Sequence, residues 1–374
     1  VNTCIPLVDM RAMTADIRED ATAAWNELLE QGDFVRGAAV GRFEAEWARY
    51  CGTAHAVGVA NGTDAIWLTL RALDIGPGDD VVVPTNTFVA TVEAVVQAGA
   101  RPVFADVDPA TLLLSPQMLR AALTSRTRAV IAVHLFGQMP DMDALLGVTD
   151  AAGVYLIEDA AQAHGARWNG RRAGSYGVAG CFSFYPGKNL GAFGDAGAVV
   201  TSHDGLADTI RSFADHGRTP NRHDEHQLIG WNSRLDTIQA AVLSAKLRHL
   251  DRWNRSRVAT MAMYRQLLGG TPAQFVHTAR GAEPVYHLAV VQVPDRDRAR
   301  DALRAYGIAT GVHYRRPCHQ TPPYAGLARG PLPVAEAAAD RILSLPLFPG
   351  MTSAQTERVA DALRCALAAL EVPA

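Results

Sequence analysis

Cysteine is scarce: the chain has five in 374 residues, and Cys4, Cys51, Cys181, Cys318 and Cys365 are scattered, odd in number and without a Cys-x-x-Cys pair. That distribution argues against a disulfide framework or a zinc site and leaves reduced, inert thiols as the expectation. No apolar stretch is long enough to span a bilayer, and the N-terminus shows no charged-then-apolar leader, so no membrane association and a cytoplasmic location are expected. Neither sign of charge dominates, because 35 Lys and Arg interleave with 38 Asp and Glu for a formal net charge of −3, which offers nucleic acid no basic face. Even the run Arg252-Trp253-Asn254-Arg255-Ser256-Arg257 reads as a solvated helix side. The Walker loop Gly-x-x-x-x-Gly-Lys-[Ser/Thr] is missing, and no strand-to-helix turn carries Gly-x-Gly-x-x-Gly. Among the twelve histidines only His216, His223 and His226 lie close together, in a polar loop without helical periodicity. No metal site is expected there, since ligands need a fixed scaffold, and a substrate or subunit-contact loop is the better reading.

What is present is apolar mass, 48% of the chain, enough to bury a large core and to form a large domain (residues 1–250, with the N-terminal segment) and a smaller C-terminal one (251–374). Strand-like and helical runs alternate from about Ala54 to Thr201, through Val81–Val83, Pro102–Ala105 and Ala129–Val133. That rhythm predicts an α/β fold, with a mostly parallel sheet flanked by helices. A single long helix is predicted from Ser233 to about Leu268, closed by Gly269-Gly270-Thr271-Pro272. The small α/β domain then reads as strand Tyr286–Val293, helix Arg298–Tyr306, strand Ile308–Tyr314, a Pro-rich loop and closing helices.

Three segments carry chemistry. In Phe182-Ser183-Phe184-Tyr185-Pro186-Gly187-Lys188 a β-prone run breaks into a turn bearing one amine. A lysine desolvated at a strand end loses affinity for its proton, and the neutral amine can condense with an aldehyde. In Val154-Tyr155-Leu156-Ile157-Glu158-Asp159 an apolar run ends on acids, which places Asp159 at a strand's carboxyl end, where open α/β sheets bind ligands; helix capping is its other reading, and Glu158 is given no catalytic part. His164 is left open between an acid, a ring contact and a core residue. In Ala56 to Leu68 a strand, a tight turn at Asn61-Gly62 and a helix opening near Thr63 suit a phosphate, although an ordinary helix start has the same pattern. A phosphate cradle, an acid suited to a ring nitrogen and a Schiff-base lysine together match the needs of pyridoxal 5′-phosphate, with pyridoxamine 5′-phosphate as its aminated form.

With these blocks the sequence resembles the DegT/DnrJ/EryC1/StrS family of sugar aminotransferases. The resemblance runs nearly end to end, through Asn61-Gly62-Thr63-Asp64-Ala65, Thr87-Phe88-Val89-Ala90-Thr91, Val133-His134-Leu135-Phe136-Gly137, the Asp159 and Lys188 blocks and Gly230-Trp231-Asn232-Ser233-Arg234-Leu235-Asp236. It implies a fold-type-I pyridoxal-phosphate transferase in which Lys188 bears the cofactor and carries protons, Asp159 binds the pyridine nitrogen, Gln162 the ring hydroxyl, and Phe88 stacks on the ring. Gly62, Thr63 and Ser183 would hold the phosphate, and Asn232 would reach the cofactor phosphate of a second subunit, making the site shared in a homodimer. Strand alternation agrees for Ser183, which can face the cofactor while Phe182 and Phe184 fill the core. The Ser233-x-x-Asp236 pattern reads as a helix cap, leaving Asn232 free.

The resemblance further implies L-glutamate as amino donor and a nucleotide-linked keto-sugar as acceptor, with dTDP-3-keto-6-deoxyhexoses preferred to a 4-keto sugar or a keto-cyclitol. His313, Tyr314, Arg315 and His319 are candidates to line the sugar pocket. Two rivals are a dehydratase of the same fold, which carries histidine in place of the lysine, and a non-catalytic regulator that binds cofactor or sugar.

Overall fold

The structure, a computed structural model, describes residues 4–219 and 222–371. Seven strands form the large sheet: β1 (His55–Val59), β2 (Asp80–Pro84), β3 (Arg101–Ala105), β4 (Thr127–Val133), β5 (Tyr155–Asp159), β6 (Ala179–Ser183) and β7 (Gly197–Thr201). Their order is β1-β7-β6-β5-β4-β2-β3, and only β7 runs antiparallel to its neighbours. Burial on both faces explains the unbroken apolar runs, as in β2, where every residue is buried.

Pleating sends alternate residues to two cores. Val130 and Ala132 of β4 join one side, with Leu28 of α2 (Arg18–Gln31, which follows α1, Met10–Ala15), Phe43 and Trp47 of α3 (Ala38–Cys51), Leu119 of α6 (Pro116–Ala122), Leu145 of α7 (Met142–Ala152) and Leu243 of α9 (Thr237–Leu247). Ala129, Ile131 and Val133 join the other, with Ile66 of α4 (Gly62–Ala72), Val92 of α5 (Val89–Gln97) and Ile210 of α8 (Asp204–Ala214). The helices start and stop where side chains dictate: Asn61 caps α4, Asp141 caps α7, and left-handed Gly52 and Gly153 end α3 and α7.

A second, antiparallel sheet of β8 (Gln274–Phe275), β9 (Ala289–Gln292) and β10 (Ile342–Leu345) shares a third core with α10 (Leu250–Leu267), α11 (Arg296–Ala305) and α13 (Ser353–Glu371). Ile5 lies in this core and bridges to Ile308, so the start of the chain packs with the C-terminal unit.

The helix expected over 233–268 is two helices. It begins only at Thr237 and breaks at Arg248-His249, because α9 buries Ala240 and Leu243 in the large core whereas α10 buries Met261 and Tyr264 in the small one. Ser233 is not the cap of α9. Its buried hydroxyl accepts the Ala60 N–H at 3.1 Å. The strand expected over 286–293 shortens to β9, and 308–314 is not a strand: Ile308 and Gly311 make single bridges, and a Cβ on Gly311 would sit 2.6 Å from the His313 ring, so the chain folds back there. Among the described residues, no helix is long and apolar enough to cross a membrane.

Candidate active site

A cavity of about 540 Å³ opens at the carboxyl ends of β5 and β6, walled by the start of α4 and by the segments around His287 and His313. It gathers Gly62, Thr63, Phe88, Asp159, Gln162, Ser183, Lys188, His313 and Tyr314, nine side chains or backbones that the sequence singled out. Strand β6 aims its residues by alternation. Ser183 and, just beyond the strand, Tyr185 line the cavity, whereas Phe182 and Phe184 are fully buried against Trp47.

Lys188 is half-buried, and burial lowers its pKa to about 8 against the opposing pull of Asp159. Roughly a fifth of the amine is therefore neutral at about pH 7.4, far more than for an ordinary lysine. Three histidines around it stay uncharged. His164 is pushed down to about 3 by burial and by the Lys188 charge, and His287 and His313 are lowered for the same two reasons in the same order. His164 resolves to a core residue: it is fully buried, its Nε2–H donates to Ser183 O at 2.9 Å, and it sits among Trp47, Phe182 and Phe184.

Adjacent acids at the end of β5 have opposite fates. Glu158 turns inward, where its carboxylate accepts from His134 Nε2 at 2.8 Å and from the amides of Gly174, Tyr176 and Gly177 at 2.8, 2.7 and 2.9 Å. All its capacity goes into holding His134 and the 174–177 turn. Asp159 faces the cavity, steadied by the Thr91 hydroxyl at 2.7 Å and the Ala161 amide at 3.2 Å. No helix follows for it to cap.

At the start of α4, the Asn61 side chain takes the Asp64 amide at 2.8 Å, so the Gly62 and Thr63 amides have no acceptor within the helix. Gly62 is required by contact: a Cβ there would lie 2.6 Å from Ser183 Cβ, so only glycine lets the helix start and the end of β6 form one cradle. Gln162 is buried. Its Oε1 accepts from Phe136 N at 2.7 Å and its Nε2 donates to Tyr314 Oη at 3.1 Å, which leaves one amide hydrogen for a ligand. Phe88 is 51% exposed and leans on Tyr314 with ring centroids 5.6 Å apart.

Two sugar-pocket candidates do not reach the cavity. His319 is buried and fully engaged, with Nδ1 at Thr85 Oγ1 (2.7 Å) and Nε2 at Glu336 Oε1 (2.9 Å), so it ties the residue after β2 to α12 (Pro333–Arg341). Arg315 pairs with Asp297 at 3.4 Å on the surface. Asn232 is exposed and lies outside this chain's own cavity. In the histidine loop, Arg218–Thr219 pairs with Arg222–His226, and His226 Nδ1 meets His216 O at 2.9 Å; Pro220 and Asn221 lie outside the described residues.

Sequence reasoning missed Thr91, His134 and His287. Thr91 lies in the first turn of α5, and its hydroxyl is 2.7 Å from that of Thr87, which precedes the helix. His287 lines the cavity from a loop far along the chain, and nothing local announces it.

The model of the DegT/DnrJ/EryC1/StrS aminotransferase family matches residues 15–364. The dTDP-3-amino-3,4,6-trideoxy-alpha-D-glucose transaminase of Streptomyces venezuelae is 46% identical over 363 residues, covering 96% of this chain and 95% of the relative. A UDP-N-acetyl-3-dehydro-alpha-D-glucosamine 3-aminotransferase of Acidithiobacillus ferrooxidans is 44% identical, with 97% and 98% covered. Among solved structures, S. venezuelae DesV in complex with a ketimine intermediate superposes with a TM-score of 0.95 at 45% identity, covering 100% of both chains.

Proposed function

The chain belongs to the DegT/DnrJ/EryC1/StrS aminotransferase family, and from that premise we propose that it moves the amino group of L-glutamate to the keto group of a dTDP-3-keto-6-deoxyhexose, with pyridoxal phosphate as carrier. The observation that carries this reading is the placement of Lys188, with its depressed pKa, and Asp159 in one cavity beside an uncovered helix N-terminus.

The donor set fits the cofactor. Bound pyridoxal phosphate supplies an aldehyde carbon that takes up the amino group and a ring that withdraws electrons from it. Gly62 and Thr63 offer backbone amides at the positive end of α4, and Ser183 adds a hydroxyl, which together suit a phosphate dianion. Asp159, fixed by Thr91, is placed to hold a protonated ring nitrogen, and the spare Gln162 amide hydrogen suits the ring hydroxyl. Phe88 covers the site from its exposed side. Lys188 would hold the aldehyde through its neutral amine, and its free Nζ would take up and return a proton as general base and then acid. His313 and Tyr314 stand on the wall left for the sugar.

Asn232 belongs to the second subunit's site in this reading. It points outward beside exposed Ile229 and Trp231, an apolar surface that suits a second copy of the chain. A C3 keto group is favoured because both named relatives act at that carbon, though on different nucleotides. A dehydratase would need histidine where Lys188 stands.

A half-reaction assay tests the proposal. Protein loaded with cofactor and mixed with L-glutamate is expected to release 2-oxoglutarate and then to aminate a dTDP-3-keto-6-deoxyhexose faster than the UDP-linked 3-keto sugar, a dTDP-4-keto sugar or an inosose. Preference for another member of that panel would transfer the assignment to it. No amine from any of them, despite bound cofactor, would favour the regulator.

A further inference from the structure

Asp215 follows α8 and is buried, yet it has no place in the cavity above. Three guanidinium groups converge on its carboxylate: Arg36 donates to Oδ2 at 2.5 Å, Arg234 donates to Oδ1 at 3.3 Å, and Arg218 Nε lies 3.3 Å from Oδ2. Arg218 and Arg234 belong to the two arms of the histidine loop, and Arg36 precedes α3. Arg36, with a left-handed φ of 60°, is held from both sides, because Thr237 N donates to Phe34 O and Gly37 N to Thr237 Oγ1, each at 3.1 Å.

The two arms of the loop meet in a short antiparallel ladder. Trp231 N donates to Phe213 O at 2.6 Å, His216 N to Trp231 O at 2.8 Å and Ser233 N to Ala214 O at 2.9 Å, which sets Asp215 opposite Asn232. Further out the arms touch backbone to backbone. A Cβ on Gly217 would lie 1.8 Å from Leu228 O, and one on Gly230 would lie 1.9 Å from Gly217 N. Alternation along the second arm gives each residue its own task. The buried Ser233 hydroxyl accepts from Ala60 N, two residues before Gly62, and Trp231 meets Trp67 of α4 edge-on with ring centroids 5.4 Å apart. Asn232 and Arg234 share the other face with Asp215, since residues paired across a ladder project to the same side. Arg234 turns back to the carboxylate, whereas Asn232 is exposed and its side chain makes no hydrogen bond among the described residues.

We propose that Asp215 is a positioning residue for the second subunit's site: beneath its three arginines the carboxylate holds the ladder that aims Asn232 away from its own chain, so its loss is felt by the cofactor bound to the other copy. The proposal rests on the reading that Asn232 enters that neighbouring site. Without the carboxylate, three like charges face one another at the base of the loop, and repulsion moves the arms that carry them. Glu44, which shares a separate cavity of about 370 Å³ with Asp215, Arg36 and Arg234, cannot replace it. Its carboxylate is spent on Arg211 and on Gly58 N, both at 2.7 Å. The rival role on these contacts is support of the chain's own phosphate cradle through Ser233 and Ala60. The two roles differ in which subunit suffers.

Two hybrid dimers of the full-length chain, purified through different tags, place the same substitutions differently. In the first, Asp215→Ala is on one subunit and Lys188→Ala on the other; in the second, both are on one subunit and its partner is wild type. Each hybrid has one lysine-bearing site, and the readout is the dissociation constant of pyridoxal phosphate there, followed by the absorbance of the bound cofactor. The first receives Asn232 from an intact loop and is expected to bind as the wild type does. The second receives it from the damaged loop and is expected to bind about tenfold more weakly, the effect of misplacing one charge-assisted hydrogen bond to a phosphate. Equal affinity in the two hybrids overturns the proposal, and weakening in the first alone overturns it in favour of the chain's own cradle. Arg36→Met in the same two arrangements should give the same order with a smaller difference, and it serves if Asp215→Ala does not fold. The pair built with Asn232→Ala tests the underlying reading separately: failure to recover a hybrid, or no difference between its arrangements, would sink the shared site whatever Asp215 does. A difference for Asn232→Ala with none for Asp215→Ala would sink the positioning role alone.

Discussion

The cavity wall and the interior behind it each contain one lysine and one acid with strong claims on attention, yet only one pair can do chemistry. Lys188 and Asp159 open on the cavity; Lys246 and Glu158 are closed off, 3% and 0% exposed. Burial takes Lys246 down to about 8, the same value as Lys188. Its amine is spent on the Gly191 carbonyl at 2.6 Å and lies 4.5 Å from the centre of the Phe193 ring. A depressed lysine pKa therefore reports desolvation, and the space in front of the amine decides whether that desolvation is used. The inner pair still serves the outer one. Lys246, with Gln239 holding the Phe193 amide at 2.8 Å, anchors the loop that leaves Lys188, while Glu158 fixes the 174–177 turn leading into β6.

The largest effect that would separate the two regions is on turnover. Lys188→Ala removes both the cofactor's attachment and the proton carrier, so transamination is expected to fall by about 10⁴-fold or more, with no reducible cofactor linkage at that position. Lys246→Met should keep the linkage and most of the rate. If the two variants were equally inactive while folded, the distinction between cavity and interior lysine would fail. On the acid side the ranking reverses for stability. Glu158→Ala leaves His134 and three backbone amides without their acceptor in the core, and a loss of about 3–5 kcal/mol in urea unfolding is expected. A loss under about 1 kcal/mol would show that water can satisfy those donors.

This contrast also marks what could be read in the residues alone. The end of a β-prone strand told which side of Ser183 faced a ligand, and the step from Glu158 to Asp159 told that only one of them could, because strand alternation is a local property. The cradle at Gly62 and Thr63 was legible for the same reason, as a strand, a tight turn and a helix start in sequence. His319 was misjudged because its partners, Thr85 and Glu336, are supplied by segments on either side of it and far off in one case. The break between α9 and α10 was invisible because no proline or glycine causes it; two cores facing different ways do. His287 could not be found at all, since the Asn189 side chain that meets its ring does so only in the folded chain.

The finest distinction between the two lysines is their dependence on the cofactor. Each folded-state pKa of about 8 lies below the ordinary 10.5, so between those values the unfolded chain binds the extra proton and stability gains with rising pH. Below pH 8 both states are protonated, and above 10.5 neither is, so the gain is confined to that window. Buried cysteines and tyrosines, whose pKa values are raised, oppose it, but they contribute equally to a wild type and a Lys246→Met variant. The difference between the two unfolding curves should therefore grow in favour of wild type from pH 8 to 10.5, with and without cofactor. The corresponding difference for Lys188→Met should follow the same window in the cofactor-free protein and shift its window on loading, because a lysine joined to the cofactor no longer titrates near 8 in the folded state while the unfolded chain still binds its proton up to 10.5. A Lys246 difference that vanished on cofactor binding would mean that its amine senses the cavity, and the two regions would have to be treated as one site.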